Sequence, residues 1–209
     1  MENVLDVYKC PYNKDFPVVC IDEMSKQLVE EVRDIIVAKP GFYEHYDTEY
    51  KRNGTGNIFM AFEPLAGKRT VKITDRRTKV DWAVFIKHLV DDVYNGAEKI
   101  VAVMDNLNTH NCSSLYEAFS PEEAKRIMDK LEIQYTPKHG SWLNMAELEL
   151  SHLSRQCLNR RIPNKKILKK EINAWKNKRN SKEVKVDWRF TCDDARVKLK
   201  KLYPDYALK

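Results

Sequence analysis

The sequence predicts an α/β fold: five short strands interleaved with helices, closed by a basic helical C-terminal extension. Three observations carry that prediction. Two apolar runs, Pro17-Val18-Val19-Cys20-Ile21 and Ile100-Val101-Ala102-Val103-Met104, each stop at a carboxylate, Asp22 and Asp105. A continuous apolar run bounded by polar residues fits a strand covered on both faces. Between the runs, Trp82, Phe85, Ile86, Leu89, Val90 and Val93 keep the spacing of an amphipathic helix. Finally, residues 155–209 hold 18 Lys and Arg against 6 Asp and Glu, whereas the residues before them are net acidic.

The first strand, residues 17–22, delivers Asp22 with Glu23 directly behind it. Turn-forming residues follow through Asn53-Gly54-Thr55-Gly56. Residues 57–62 and 70–74 have strand composition, and Pro64-Leu65-Ala66-Gly67-Lys68 is the hairpin link between them. The helix over residues 82–93 is core by its spacing and leads into the strand 100–104. Ligands collect at the carboxyl ends of strands in open α/β sheets, which makes Asp105 a candidate for chemistry. Asp and Asn also start turns by bonding their own backbone, and Asp105-Asn106-Leu107-Asn108-Thr109-His110 fits both readings. Ser120-Pro121-Glu122-Glu123 opens a helix with a capping serine, a first-position proline and first-turn acids, ending near Leu131.

Residues 133–136 form the fifth strand, and Pro137 and Gly140 lead into a helix over residues 144–158. That helix sets Glu147, Ser151 and Arg155 on one line, with Leu150, Leu153 and Cys157 on another. Glu147 lies near its N-terminus, where an acid also complements the helix dipole. Ile167, Leu168, Ile172 and Trp175 predict a further basic helix, and residues 193–202 a last one. The basic groups Arg155, Arg160, Arg161, Lys165, Lys166, Lys169 and Lys170 suit a polyanion, because neutralising phosphates releases condensed counterions. Lysine-rich helices are also ordinary solvated faces.

Composition narrows the function classes. The chain of 209 residues, 43% hydrophobic and 33% charged, is long enough for one good core plus a small appendage. No segment approaches 18 apolar residues in a row, and the N-terminus lacks the pattern of a signal peptide, so neither membrane insertion nor export is expected. Five scattered cysteines, none in a C-x-x-C pair, support neither a disulfide framework nor a zinc knuckle and suit a reducing compartment.

The element order is that of an RNase H-like domain, one of several α/β topologies that periodicity allows; the motifs decide. Asp22 in V-V-C-I-D-E, Asp105 in V-M-D-N-L-N-T-H and Glu147 in T-P-K-H-G-S-W-L-N-M-A-E-L-E-L-S together resemble the catalytic blocks of DDE transposases. The resemblance is to the bacterial insertion-sequence branch of the mariner-type superfamily. It extends to R-N-G-T-G-N-I-F-M, R-R-T-K-V-D-W and V-D-W-R-F-T, and so covers nearly the whole chain. Matching the blocks in order selects Asp22 over Glu23 and Glu147 over Glu149.

The resemblance implies an RNase H-like mixed five-stranded sheet, with a catalytic core over residues 1–158 and the basic extension over 159–209 packed on it. It implies that Asp22, Asp105 and Glu147 are catalytic and hold divalent metal, Mg2+ with Mn2+ able to substitute. Hard oxygen ligands select such cations, and two of them stabilise both the attacking and the leaving oxygen of a phosphodiester. Asn106 and His110 would orient ligands or touch a phosphate, or only bond the turn backbone. The implied reaction is cleavage at transposon ends and strand transfer into target DNA at a TA step. The implied partners are double-stranded DNA, both ends and target, and a second copy in a homodimer assembled on DNA. The implied location is the bacterial cytoplasm at the nucleoid. Relatives of this kind carry helix-turn-helix modules ahead of the catalytic domain. Here about sixteen residues precede the first strand, and such a module is expected to be absent. The rival readings are a truncated, non-catalytic DNA-binding remnant and an RNase H-like nuclease without strand transfer.

Overall fold

Strand β1 (Val18–Glu31) organises the molecule. A computed structural model describes residues 1–33, 36–43, 45, 48–107, 111–138 and 140–203. Among the described residues β1, β2 (Tyr50–Glu63), β3 (Lys68–Thr74), β4 (Ile100–Met104) and β5 (Leu131–Tyr135) form a sheet in the order β3-β2-β1-β4-β5. The β1–β2 and β2–β3 pairs are antiparallel, while β1–β4 and β4–β5 are parallel, so the sheet is mixed. Gly67, at φ +66, makes the hairpin turn between β2 and β3 that the sequence places there.

The period-2 alternation of strands sorts the core into two layers. Val19, Ile21, Phe59, Ala61, Ile100, Ala102 and Met104 face α2 (Lys79–His88), α3 (Ser113–Ala118) and α4 (Pro121–Asp129). Cys20, Ile58, Met60, Phe62 and Val103 face α1 (Glu2–Lys9), α5 (Met145–Leu153), α6 (Lys165–Ser181) and α7 (Cys192–Lys198). Trp82, Phe85, Ile86 and Leu89 are fully buried, each stabilising by roughly 1.5–3 kcal/mol. Val93, expected on the same stripe, is 36% exposed. A π-helical turn over Leu89–Val93 follows α2 and rotates the stripe out of phase.

The structure corrects three other expectations. The first strand does not stop at Asp22; it runs on to Glu31, because β2 continues to pair with it where β4 has ended. The segment Asn53-Gly54-Thr55-Gly56 is not a turn but part of β2. The pairing shifts between Gln27 and Val29, and Gly54 at φ +83 supplies the bulge there. Two helices, α1 and α3, arise where the sequence offered no clear period. The helix opened by Ser120 ends at Asp129, with the Ser120 hydroxyl accepting from the Glu123 N–H as predicted.

Candidate active site

Parallel pairing brings the two aspartates to the same end of β1 and β4. Val18, Val19 and Cys20 of β1 lie opposite Val101, Ala102 and Val103 of β4. Asp22 lies two residues beyond the last of these pairs, and Asp105 directly follows the last residue of β4. Alternation puts Asp22 on the face of Cys20 and Met60, the side covered by α5. Glu147 is in the first turn of α5, and the residues just before it, Met145 and Ala146, pack with Cys20 and Val103.

Asn144 caps α5: its Oδ1 accepts from the Ala146 N–H at 3.1 Å, and its Nδ2 donates to the Ile21 carbonyl at 2.8 Å. Next to it, the Tyr8 hydroxyl donates to the Leu143 carbonyl at 2.7 Å and lies 3.3 Å from the Cys20 Sγ.

Charge ties the three acids together. Burial pushes the Asp22 carboxyl up to about 7, and the negative charges of Glu23, Asp105 and Glu147 push the same way. A bond of 2.8 Å from the Glu23 N–H opposes them. Crowded carboxylates disfavour one another's ionisation and welcome a cation, and all the donors are hard oxygens. Among the described residues no three His, Cys, Asp or Glu side chains are gathered tightly enough to hold a metal as they stand.

Glu149, two residues on in α5, has a different role. It is 2% exposed and bonds the Arg69 Nε at 2.9 Å and the Arg179 guanidinium at 2.7 and 3.1 Å. These bonds fasten α5 to β3 and α6.

Asn106 is exposed and lines, with Asp105, Leu107, Thr136, Pro137, Lys138 and Ser141, a cleft of about 660 Å3. His110 lies outside the described residues. Of the basic residues, Arg155 is in the π-helical turn that continues α5, Arg160 and Arg161 precede α6, and Lys165, Lys166, Lys169 and Lys170 are on α6. Arg155 bonds the Ser151 carbonyl of its own helix, Arg160 pairs with Glu171 at 2.5 Å, and Arg161 and Lys165 pair with Glu31 and Asp75. Lys166, Lys169 and Lys170 are exposed. The sequence marks Asn144 only as a helix start and gives Lys138 and Ser141 no signal of their own. The spacing N-M-A-E, a capping residue three before an acid, is the local signal that points to Asn144.

A mixed five-stranded sheet in this order, with helices on both faces, is an RNase H-like fold. Residues 17–169 match the model of the DDE superfamily endonucleases, and the chain belongs to that family. No curated protein sequence matches it. Among solved structures it is similar to the Mos1 transposase paired-end complex with left transposon end, at TM-score 0.59 and 11% identity, over 88% of this chain and 56% of that one. It is similar also to the Mos1 mariner paired end complex with Mn, at 0.56 and 12%, over 88% and 56%. The Mos1 Strand Transfer Complex matches at 0.56 and 12%, over 88% and 59%. The chain thus spans a little over half the length of those transposases.

Proposed function

We propose that this chain is the catalytic domain of a transposase, cleaving DNA strands at transposon ends and joining them to target DNA at a TA step. The observation that carries the reading is the electrostatic convergence of Asp22, Asp105 and Glu147 from a strand, a strand end and a helix. In this reading all three are ligands of divalent cations, Mg2+ or Mn2+. Two cations held by these carboxylates would supply activation of the attacking oxygen and stabilisation of charge on the leaving one. Asp22 gives up its proton on binding and, with Asp105, supplies oxygens along the sheet edge; Glu147 closes the set from α5. The Mn named with one Mos1 complex is consistent with that donor chemistry.

The DNA lies along the cleft beside Asp105, where Asn106, Lys138 and Ser141 face it, and its backbone continues towards the basic residues around α6. Phosphate contacts there position the duplex without reading its sequence. The active species is a homodimer on DNA, and the core and the basic extension act as one unit at the bacterial nucleoid.

The test is Mg2+-dependent nicking and joining of a labelled transposon-end duplex. Asp105→Asn abolishes nicking and keeps DNA binding. A variant that cuts at the wild-type rate sinks the site. Cleavage by wild type without joining indicates a nuclease, and salt-sensitive binding without cleavage indicates a DNA-binding remnant.

A further inference from the structure

We infer that Asn144 is a positioning residue, the side chain that sets the separation between Glu147 and Asp22. The inference rests on the reading that these acids share a cation site. Asn144 is 1% exposed, and a buried amide must spend its polar atoms on partners. Its Oδ1 makes the helix cap, a bond that Ser, Thr or Asp could equally make. Its Nδ2 does something a cap does not require: it donates to the Ile21 carbonyl, 123 residues away in sequence and adjacent to Asp22.

Of the common capping residues only asparagine makes both bonds, since an ionised aspartate has no donor and serine has no second arm. One side chain therefore spans from the backbone beside the first acid to the helical turn that carries the third. The Tyr8 hydroxyl braces the same junction from α1 through the Leu143 carbonyl. Asn144 touches neither substrate nor cation in this arrangement. It acts by fixing where Glu147 stands.

The test is calorimetric titration of the DNA-free protein with Mn2+, alongside its melting temperature. Asn144→Ser keeps a cap acceptor and loses the Ile21 bond. The matched control is Asn164→Ser at the cap of α6, where the side chain accepts from the Ile167 N–H at 3.0 Å. Both variants melt slightly earlier, but only Asn144→Ser weakens Mn2+ binding, by about tenfold or more, the usual loss when a ligand's supporting partner is removed. Wild-type Mn2+ affinity in Asn144→Ser overturns the inference and leaves the carboxylate site intact; no Mn2+ binding by wild type overturns the site itself. Should the serine variant not fold, Tyr8→Phe decides: weaker Mn2+ binding supports the tether, and unchanged binding overturns it.

Discussion

Glu147 and Glu149 share one helix turn yet answer to different partners, and substitution separates them. Glu149 neutralises Arg69, whose side chain is fully buried. Glu149→Ala leaves that charge uncompensated and costs about 3–5 kcal/mol in urea unfolding. Glu147→Gln leaves the urea midpoint unchanged or raises it, by relieving Asp22 of a like charge, and abolishes nicking.

Asp22 carries a pH signature. The unfolded chain gives up this proton near the usual 3.8, whereas the folded protein holds it to about 7. The stability that Asp22 contributes is therefore present below about pH 4 and lost as pH rises to 7. Urea midpoints measured in chelator between pH 4 and 8 show that fall, and Asp22→Asn flattens it. The three proposed acids stand out in the sequence because each sits in its own block. What the structure adds is that Glu149 is tied to Arg69 and Arg179, and Asn144 to Ile21. Those partners are remote along the chain and leave no local pattern.

At the scale of elements, the strand, helix and strand order was readable, and the errors fall where two local structures need the same residues. Glycine with φ > 0 serves a turn or a bulge equally, so the sequence around Gly54 fits a turn as well as the bulged strand it forms. The spacing from Trp82 to Val90 is helical, but a π-helical turn has no separate composition, and Val93 was misplaced for that reason. Helix α6 divides its own charges. Its apolar line, Leu168, Ile172 and Trp175, is buried over β3 and in one cluster with Ile58 and Met60 of β2, Lys165 is paired with Asp75, and Lys166, Lys169 and Lys170 are exposed. Replacing those three exposed lysines by Gln weakens duplex binding and reduces the slope of log affinity against log salt by up to about 1 per lysine. An unchanged slope in a filter-binding series makes α6 a solvated face.

For the whole molecule, the site belongs to no single segment. Cation binding should therefore stabilise the entire fold: Mn2+ at one hundred times its dissociation constant adds about 2.7 kcal/mol. The melting temperature rises accordingly, and the rise disappears when Asp22, Asp105 and Glu147 are replaced together by Asn, Asn and Gln. Five strands and a covering helix layer were foreseeable. Which helices share the face of Asp22 was not, because that depends on the parallel pairing of β1 with β4 and on the packing of α1 and α7.

The bond from Asn144 to Ile21 also has a consequence in time. A contact that spans 123 residues is non-local, and such contacts are expected to form after local helices and hairpins. A chain emerging from the ribosome holds Asp22 long before it holds Glu147. The three acids therefore come together only when synthesis has passed α5 and the sheet has closed.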